Sequence, residues 1–436
     1  MGKRLVYNTA LLTGSSLLMR CIGMAFQAWL AGRIGATGIG LFQLVMSVEM
    51  LCTTLAVSGI RFAATRIVAE EIGSGREGAV GTAVLRCCMY SLLFGCTAAA
   101  VLMSFAEPIG FLWIGDARTV MSLRILACGL PFLSLSSVLS GYFTACGRVW
   151  KSALVHLIEQ LSYVALVALF LYHAPDGDIE RNCAAVTAGI TASDMLSFAL
   201  MFALFLGDRR AHPAGSARSE RLTIRMLGVA LPLAVSSYAR SALSTLEHML
   251  VPRGLRRSGL SADSALAGYG VIQGMAMPLI SFPASLLMAV SELIVPELTE
   301  AQMRGDGALI RRAVKQLIKK SLLFSSACAI LLFSLADVLS AAVYGTDEAA
   351  EYIRLLAPLV PVMYTDMVVD GCLKGLGQQV WSMGINIFDA ALGAALVWLL
   401  LPVGALDAYI GIIYADELIN FAMSAARLRS VCRRFS

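Results

Sequence analysis

Polar positions in this chain come as short interruptions between long apolar runs. Between residues 7 and 427, stretches of about 20 residues or more follow one another, separated by small clusters of charge, glycine and proline. Each stretch can cross the roughly 30 Å hydrocarbon core as a helix. Backbone groups in lipid must be satisfied within their own segment, so the pattern predicts helices and no open strands. The spans fall near 7–32, 39–64, 82–106, 119–145, 150–173 and 184–207 in the first half. In the second half they fall near 226–251, 265–295, 318–342, 352–376, 380–402 and 407–427. The predicted class is an all-α polytopic membrane protein with about twelve transmembrane helices.

Composition removes the soluble alternative. Hydrophobic residues are 58% of the 436 and charged residues 14%, with a mean hydropathy of +0.76. The first apolar stretch is too long for a cleaved leader and runs straight into a second span. Eleven cysteines are scattered through the spans without a CxxC pair, and the four histidines form no ligand cluster. Neither a disulfide framework, a zinc site nor any cofactor is therefore expected.

Lys and Arg placement sets the expected orientation. One set of loops carries Lys3 and Arg4; Arg66, Arg76 and Arg86; Arg148 and Lys151; and Arg209, Arg210, Arg218, Arg221 and Arg225. Further along it carries Arg304, Arg311, Arg312, Lys315, Lys319 and Lys320, and the tail adds Arg427, Arg429, Arg433 and Arg434. The opposite loops are poorer in cations, apart from "VPRGLRRSG" with Arg253, Arg256 and Arg257. Both termini are expected in the cytoplasm. This bias accounts for the net charge of +5, so no nucleic-acid partner is implied.

The chain also repeats itself. At an offset of 230, Arg124, Leu126, Ala127 and Pro131 match Arg354, Leu356, Ala357 and Pro361; Gly141, Gly147 and Ser152 match Gly371, Gly377 and Ser382. Glu159 falls on Asp389, and Gly38, Gly40 and Gln43 fall on Gly268, Gly270 and Gln273. At an offset of 220 in the first span, Ser16, Arg20 and Arg33 fall on Ser236, Arg240 and Arg253. Six spans per half is an even number, so the two repeats run parallel, and a substrate path is expected in a central cavity between them. The expected division is an N-lobe at 1–207, a cytoplasmic linker at 208–224, rich in basic and small residues, and a C-lobe at 225–436.

Ionisable residues inside the spans are the functional candidates, because at bilayer depth they cost several kcal/mol and face a cavity or a partner. Arg20 and Arg240 lie near mid-depth on matched helices, and Arg61 lies toward the cytoplasmic end of the second span. Three guanidiniums around one path would grip phosphate oxygens in bidentate fashion. The alternative is a set of buried pairs, Arg20 with Glu49 and Arg240 with Glu247. Glu49, Glu159, Glu247, Asp366, Asp370 and Asp389 are candidate cavity acids or ion-coupling groups, with structural hydrogen bonding as the competing role. Pro131, Pro278, Pro283 and Pro361 are candidate gating kinks, since each removes a helix hydrogen bond. No catalytic constellation, phosphate loop or large extramembrane domain is present, so a catalytic function is not expected.

The stretch "NTALLTGSSLLMRCIGMAFQAWLAGRIGATGIGLFQLVMSVEMLCTTLAVSGIRFAATRIVAEE", with "VPRGLRRSGLS" and "YGVIQGMAMPLISFPASLL", resembles the stage V sporulation protein B family of polysaccharide-biosynthesis membrane proteins. That family sits in the superfamily of multidrug, oligosaccharidyl-lipid and polysaccharide exporters, beside the lipid II flippases. The resemblance implies two six-helix lobes around a cavity that opens to each side in turn. It implies movement of an undecaprenyl-diphosphate-linked glycan, a peptidoglycan precursor or related polysaccharide precursor, to the outer leaflet of the bacterial cytoplasmic membrane. Arg20, Arg61 and Arg240 occupy places comparable to the pyrophosphate-binding arginines of the lipid II flippases. The expected partners are that lipid-linked glycan, membrane lipids, and envelope or sporulation synthesis proteins. A cation-coupled multidrug exporter of the same fold is the alternative, ahead of a non-transporting scaffold or an intramembrane glycan enzyme.

Overall fold

The structure, a computed structural model, describes residues 2–74, 77–174, 178–211 and 222–433. Arg76, Arg434 and residues 212–221 of the expected linker lie outside the described residues. The described residues hold fourteen α-helices and no strand. In order they are α1 (Gly2–Val57), α2 (Ile60–Gly73), α3 (Val80–Pro108), α4 (Val120–Ala145), α5 (Val149–His173), α6 (Ile179–Ala211) and α7 (Leu222–Arg257). The second half has α8 (Ala262–Tyr269), α9 (Met277–Met303), α10 (Gly307–Ser334), α11 (Ala336–Tyr344), α12 (Ala350–Leu356), α13 (Val360–Gly375) and α14 (Gln379–Arg433).

Helix boundaries follow backbone chemistry more than loop composition. Within α1 a break at Gly35, whose φ of 71° suits a residue without Cβ, separates the first two expected spans, and the second of them continues into α2. The last two are likewise separated within α14 by a break at Ala405 (φ 50°). Between α1 and α2 the chain turns through Ser58 (φ 45°) and Gly59 (φ 69°) instead of leaving the membrane. "VPRGLRRSG", expected as a loop, is mostly the end of α7, where Arg256 and Arg257 occupy the last turn. Cations there complement the partial negative charge of a helix C-terminus. Nine of the described helical stretches are long and apolar enough to cross a membrane, two of them the bent 55- and 56-residue stretches.

Contacts group the chain into two units. The first is Met1–Ile22 with Leu44–Thr245, and the second is Gly23–Gln43 with Leu246–Ser436. These bounds cut through α1 and α7, the matched first helices: the middle of α1, Gly23–Gln43, and the end of α7 from Leu246 onward fall in the second unit, and the rest of both in the first.

In the first unit α4 packs against α2, α3 and α6, and α5 packs against α6. The core there joins Ile60, Ile67 and Val68 of α2 to Val84 and Tyr90 of α3, Val138 and Phe143 of α4, and Met226 of α7. In the second unit α13 takes the place of α4, packed against α9, α10 and α14.

The repeat reappears in individual contacts. Arg124 donates to Glu107 at 2.7 Å, and Arg354 pairs with Asp337, each partner displaced by 230. Ser140 and Ser152 share a hydrogen bond at 2.8 Å, and their counterparts Asp370 and Ser382 do the same. Within the second unit the matched glycines Gly40 and Gly270 meet. A Cβ on Gly40 would strike the Leu266 carbonyl, and one on Gly270 the Ala36 carbonyl and the Gly40 backbone.

The prolines have distinct settings. Pro131 lies inside α4, while Pro361 sits in the first turn of α13, after a 3-10 turn, where its missing N–H costs nothing. A π-helical stretch, Gly270–Ala276, precedes Pro278, and Pro283 lies further along α9. Pro278 cannot donate to the carbonyl four residues back, Gly274. Gln27 Nε2 donates to that oxygen instead, at 3.0 Å. Removing the donor with Gln27→Leu should therefore cost about 1–3 kcal/mol. Pro278→Ala, which restores an N–H, should recover part of that loss in the double variant. Thermal unfolding of the purified protein in detergent reads the cycle, and equal losses with and without Pro278 would refute the pairing.

Candidate functional site

Ionisable groups inside the membrane form one constellation in each unit. In the first unit a cavity of about 150 Å³ is lined by Arg61, Ser136, Ser137, His156, Glu159, Asp194 and Ser197, among others. Arg61 is the second residue of α2, just after the Ser58–Gly59 turn, so the break in the helix sets where its guanidinium emerges. Glu159 of α5 is held at one oxygen by Ser197 of α6 (2.6 Å) and by His156 one turn back (3.2 Å). Asp194 of α6 lies close enough to Glu159 and Glu49 for their charges to act on it. Glu49 accepts from Thr53 at 2.7 Å, a bond within its own helix.

The arginines singled out from the sequence fall in one unit. Arg20, Arg61 and Arg240 all belong to the first, and all three side chains are exposed. The segment carrying Arg240 is fixed to α1 by side chains on either side of it. Tyr238 donates to Ser58 Oγ at 2.5 Å, and Ser58 in turn meets Tyr90 at 2.8 Å. Thr54 Oγ1 donates to Ser241 at 3.2 Å, and Thr245 donates to the Ser47 carbonyl at 2.8 Å. At the start of α7, Arg225 pairs with Glu70 and reaches Glu71 at 3.0 Å, and Glu71 is wholly buried. Arg240 and Glu247, one of the expected pairs, fall in different units.

The second unit brings several carboxyls near one another on α7, α13 and α14. Glu247 of α7 lies against Gly393 of α14, where any larger residue would meet its carboxyl. One turn away, Asp389 is within hydrogen-bond reach of Asp416 on the other arm of the bent α14. Glu417 feels both Asp366 and Asp416. Oδ1 atoms of Asp366, Asp389, Asp416 and Asn420 are buried with no donor. Asp370 is placed differently, engaged by Lys374 at 2.5 Å and by Ser382.

Asp194, Asp416 and Glu417 were not among the residues singled out from the sequence, although all three lie in apolar spans, in "TASDML" and "YADELI". An acid within a span was sufficient signal; its helical face was not readable. Asp208, expected in the linker, is instead in α6, paired with Arg148 and with Lys151 at 2.7 Å and accepting from Tyr142 at 2.9 Å.

A family model described as polysaccharide biosynthesis protein matches residues 5–302, and a second, MatE, matches 257–399. The chain is 23% identical to stage V sporulation protein B of Bacillus subtilis (strain 168), over 96% of this chain and 82% of that one. It is 21% identical to the sporulation protein YkvU of the same organism, over 99% of this chain and 95% of that one. Among solved structures it resembles the inward-facing conformation of a multidrug resistance MATE family transporter of the MOP superfamily. The TM-score is 0.72 at 14% identity, covering 95% of each chain. The shared architecture is that of a multi-pass helical membrane protein.

The contact of α7 with α2 gives a stability prediction. Arg225→Ala removes a cation from the wholly buried Glu71 carboxylate, and should destabilise the protein by about 3 kcal/mol. Arg225→Met with Glu71→Leu, which removes both charges, should restore most of the unfolding temperature lost by the single change. A single variant as stable as the parent would contradict the burial of Glu71.

Proposed function

Because the chain belongs to the polysaccharide biosynthesis protein family, we propose that it is an alternating-access transporter for an undecaprenyl-diphosphate-linked glycan. It moves this lipid from the cytoplasmic to the outer leaflet of the bacterial cytoplasmic membrane, with both of its own termini inside. The observation that carries the reading is the exposure of Arg20, Arg61 and Arg240 in one unit, each flanked by mostly apolar or small residues. A guanidinium at such a position must meet water or an anion. A diphosphate supplies paired oxygens at the spacing of the guanidinium fork.

The acids serve a second role in this reading. Asp389 and Asp416 lie near one another on the two arms of α14, and the first-unit acids Glu159 and Asp194 line the same cavity as Arg61. Gain and loss of a proton or cation at these groups would couple transport to an ion gradient. The Asp389–Asp416 pair also favours a second reading, an ion-coupled exporter of small molecules, which needs the acids and not the arginines.

Reconstituted vesicles carrying a fluorescent lipid-linked diphosphate separate the two. Arg20→Ala with Arg240→Ala should lower the rate of leaflet exchange at least about tenfold, each lost charge-assisted contact being worth about 1.5–3 kcal/mol. Asp389→Asn should abolish the response to an imposed gradient while leaving binding intact. Unchanged exchange in the double arginine variant, with gradient-driven efflux of small cations that needs Asp389, would replace the flippase by the exporter.

A further inference from the structure

A groove in the second unit is built for an amphiphile and takes no part in the proposed transport site. It has a volume of about 300 Å³ and runs between α10, α13 and the end of α14. On α10 its lining residues are Arg311, Val314, Lys315 and Ile318, spaced i, i+3, i+4, i+7 along one helix face. On α14 the face is Phe421, Ala425, Leu428, Arg429 and Cys432, and Val369 of α13 closes the floor. Val314, Val369 and Leu428 are buried, whereas Arg311, Lys315 and Arg429 are exposed. The cations converge because the first turns of α10 lie beside the last turns of α14. Deeper along the same helices only apolar side chains line the wall.

One end of the groove is therefore basic and the other apolar. The basic end belongs to the "RRAVKQLIKK" and "RLRSVCRR" segments, whose charge predicts a cytoplasmic position. Basic pockets between helices at that level suit the headgroups of anionic lipids.

We propose that this groove is a site for one anionic glycerophospholipid of the inner leaflet. Arg311, Lys315 and Arg429 hold its phosphate, and an acyl chain lies along Ile318, Val369 and Phe421. The lipid would clamp α14 to α10 and occupy the site as a resident, not as cargo.

Native mass spectrometry of the full chain, released from detergent with phosphatidylglycerol or phosphatidylcholine, tests this. One phosphatidylglycerol should remain bound where phosphatidylcholine is lost. Arg311→Gln, Lys315→Gln and Arg429→Gln should each weaken retention roughly fivefold. Arg312→Gln with Lys319→Gln, which removes charge from α10 outside the groove, should leave it unchanged. Val369→Trp, which fills the floor without altering charge, should also expel the lipid, and circular dichroism checks that each variant is folded. Equal loss in the Arg312/Lys319 variant would reduce the effect to general surface charge. Equal retention of both lipids would overturn the proposal. So would displacement of phosphatidylglycerol by equimolar undecaprenyl diphosphate, which would assign the groove to the transported lipid.

Discussion

Hydrocarbon supplies neither donors nor acceptors, so every interruption of a membrane helix has to be answered by a side chain of the protein itself. That constraint organises the second unit around the Gly270–Ala276 π-helical stretch and the prolines that follow. The Gly274 carbonyl, denied a donor by Pro278, takes Gln27. The next carbonyl, Met275, takes Tyr344 at 2.8 Å, and Ile280, in the turn before Pro283, takes Tyr364. Three helices thus converge on one irregular stretch because each brings a donor. In the first unit the carbonyls at the Ser58–Gly59 turn are met in the same manner, Ser58 by Tyr90 at 3.3 Å and Leu55 by Tyr238 at 3.5 Å. A bend that is chemically closed can be kept at depth, and a bend at depth is what places Arg61 at the mouth of a polar cavity.

The same constraint separates the two kinds of charge in the molecule. At the ends of the helices, ions meet their opposites: Arg225 with Glu70 and Glu71, Asp208 with Arg148 and Lys151, Asp370 with Lys374. Within the spans, the second-unit acids crowd one another instead. Glu247, Asp366, Asp389, Asp416 and Glu417 are buried or half-buried, and Oδ1 of each of the three aspartates finds no donor. Such an arrangement is stable only while protons or cations offset the repulsion. Pairing at the ends holds the helices together, and unmatched charge within the spans leaves groups able to exchange what they bind.

The sequence reading and the structure agree where long apolar runs and repeated polar residues carry the signal. Expected spans 119–145 and 150–173 are α4 and α5 within a residue. The 230-residue offset, read from Arg124, Pro131 and Gly141, extends to an ion pair, Glu107–Arg124 and Asp337–Arg354, that was not used to find it. The reading fails where geometry is set by one backbone dihedral. Nothing in composition announces that the expected span 39–64 breaks at Ser58 and Gly59, or that a basic, proline-containing "VPRGLRRSG" continues a helix. Proline at position 252 lies in the interior of α7, where its cost is borne by packing that a linear pattern does not display.

Side-chain roles were legible by type and not by direction. An arginine in an apolar span is visible in the sequence, and Arg20, Arg61 and Arg240 were found that way. Which acids share a neighbourhood depends on helix rotation, and that is why Asp416 and Glu417 join Asp389 only in three dimensions. The repeat sharpens this point. Glu159 and Asp389 are equivalent positions, yet Glu159 is satisfied by Ser197 and His156, whereas Asp389 faces another carboxyl. Duplication supplied two identical scaffolds with an acid at the same place. Substitutions on the neighbouring helices then gave one a set of donors and the other a competitor for the same proton. The two halves of the protein can therefore differ in the ions they bind while keeping the same helix packing.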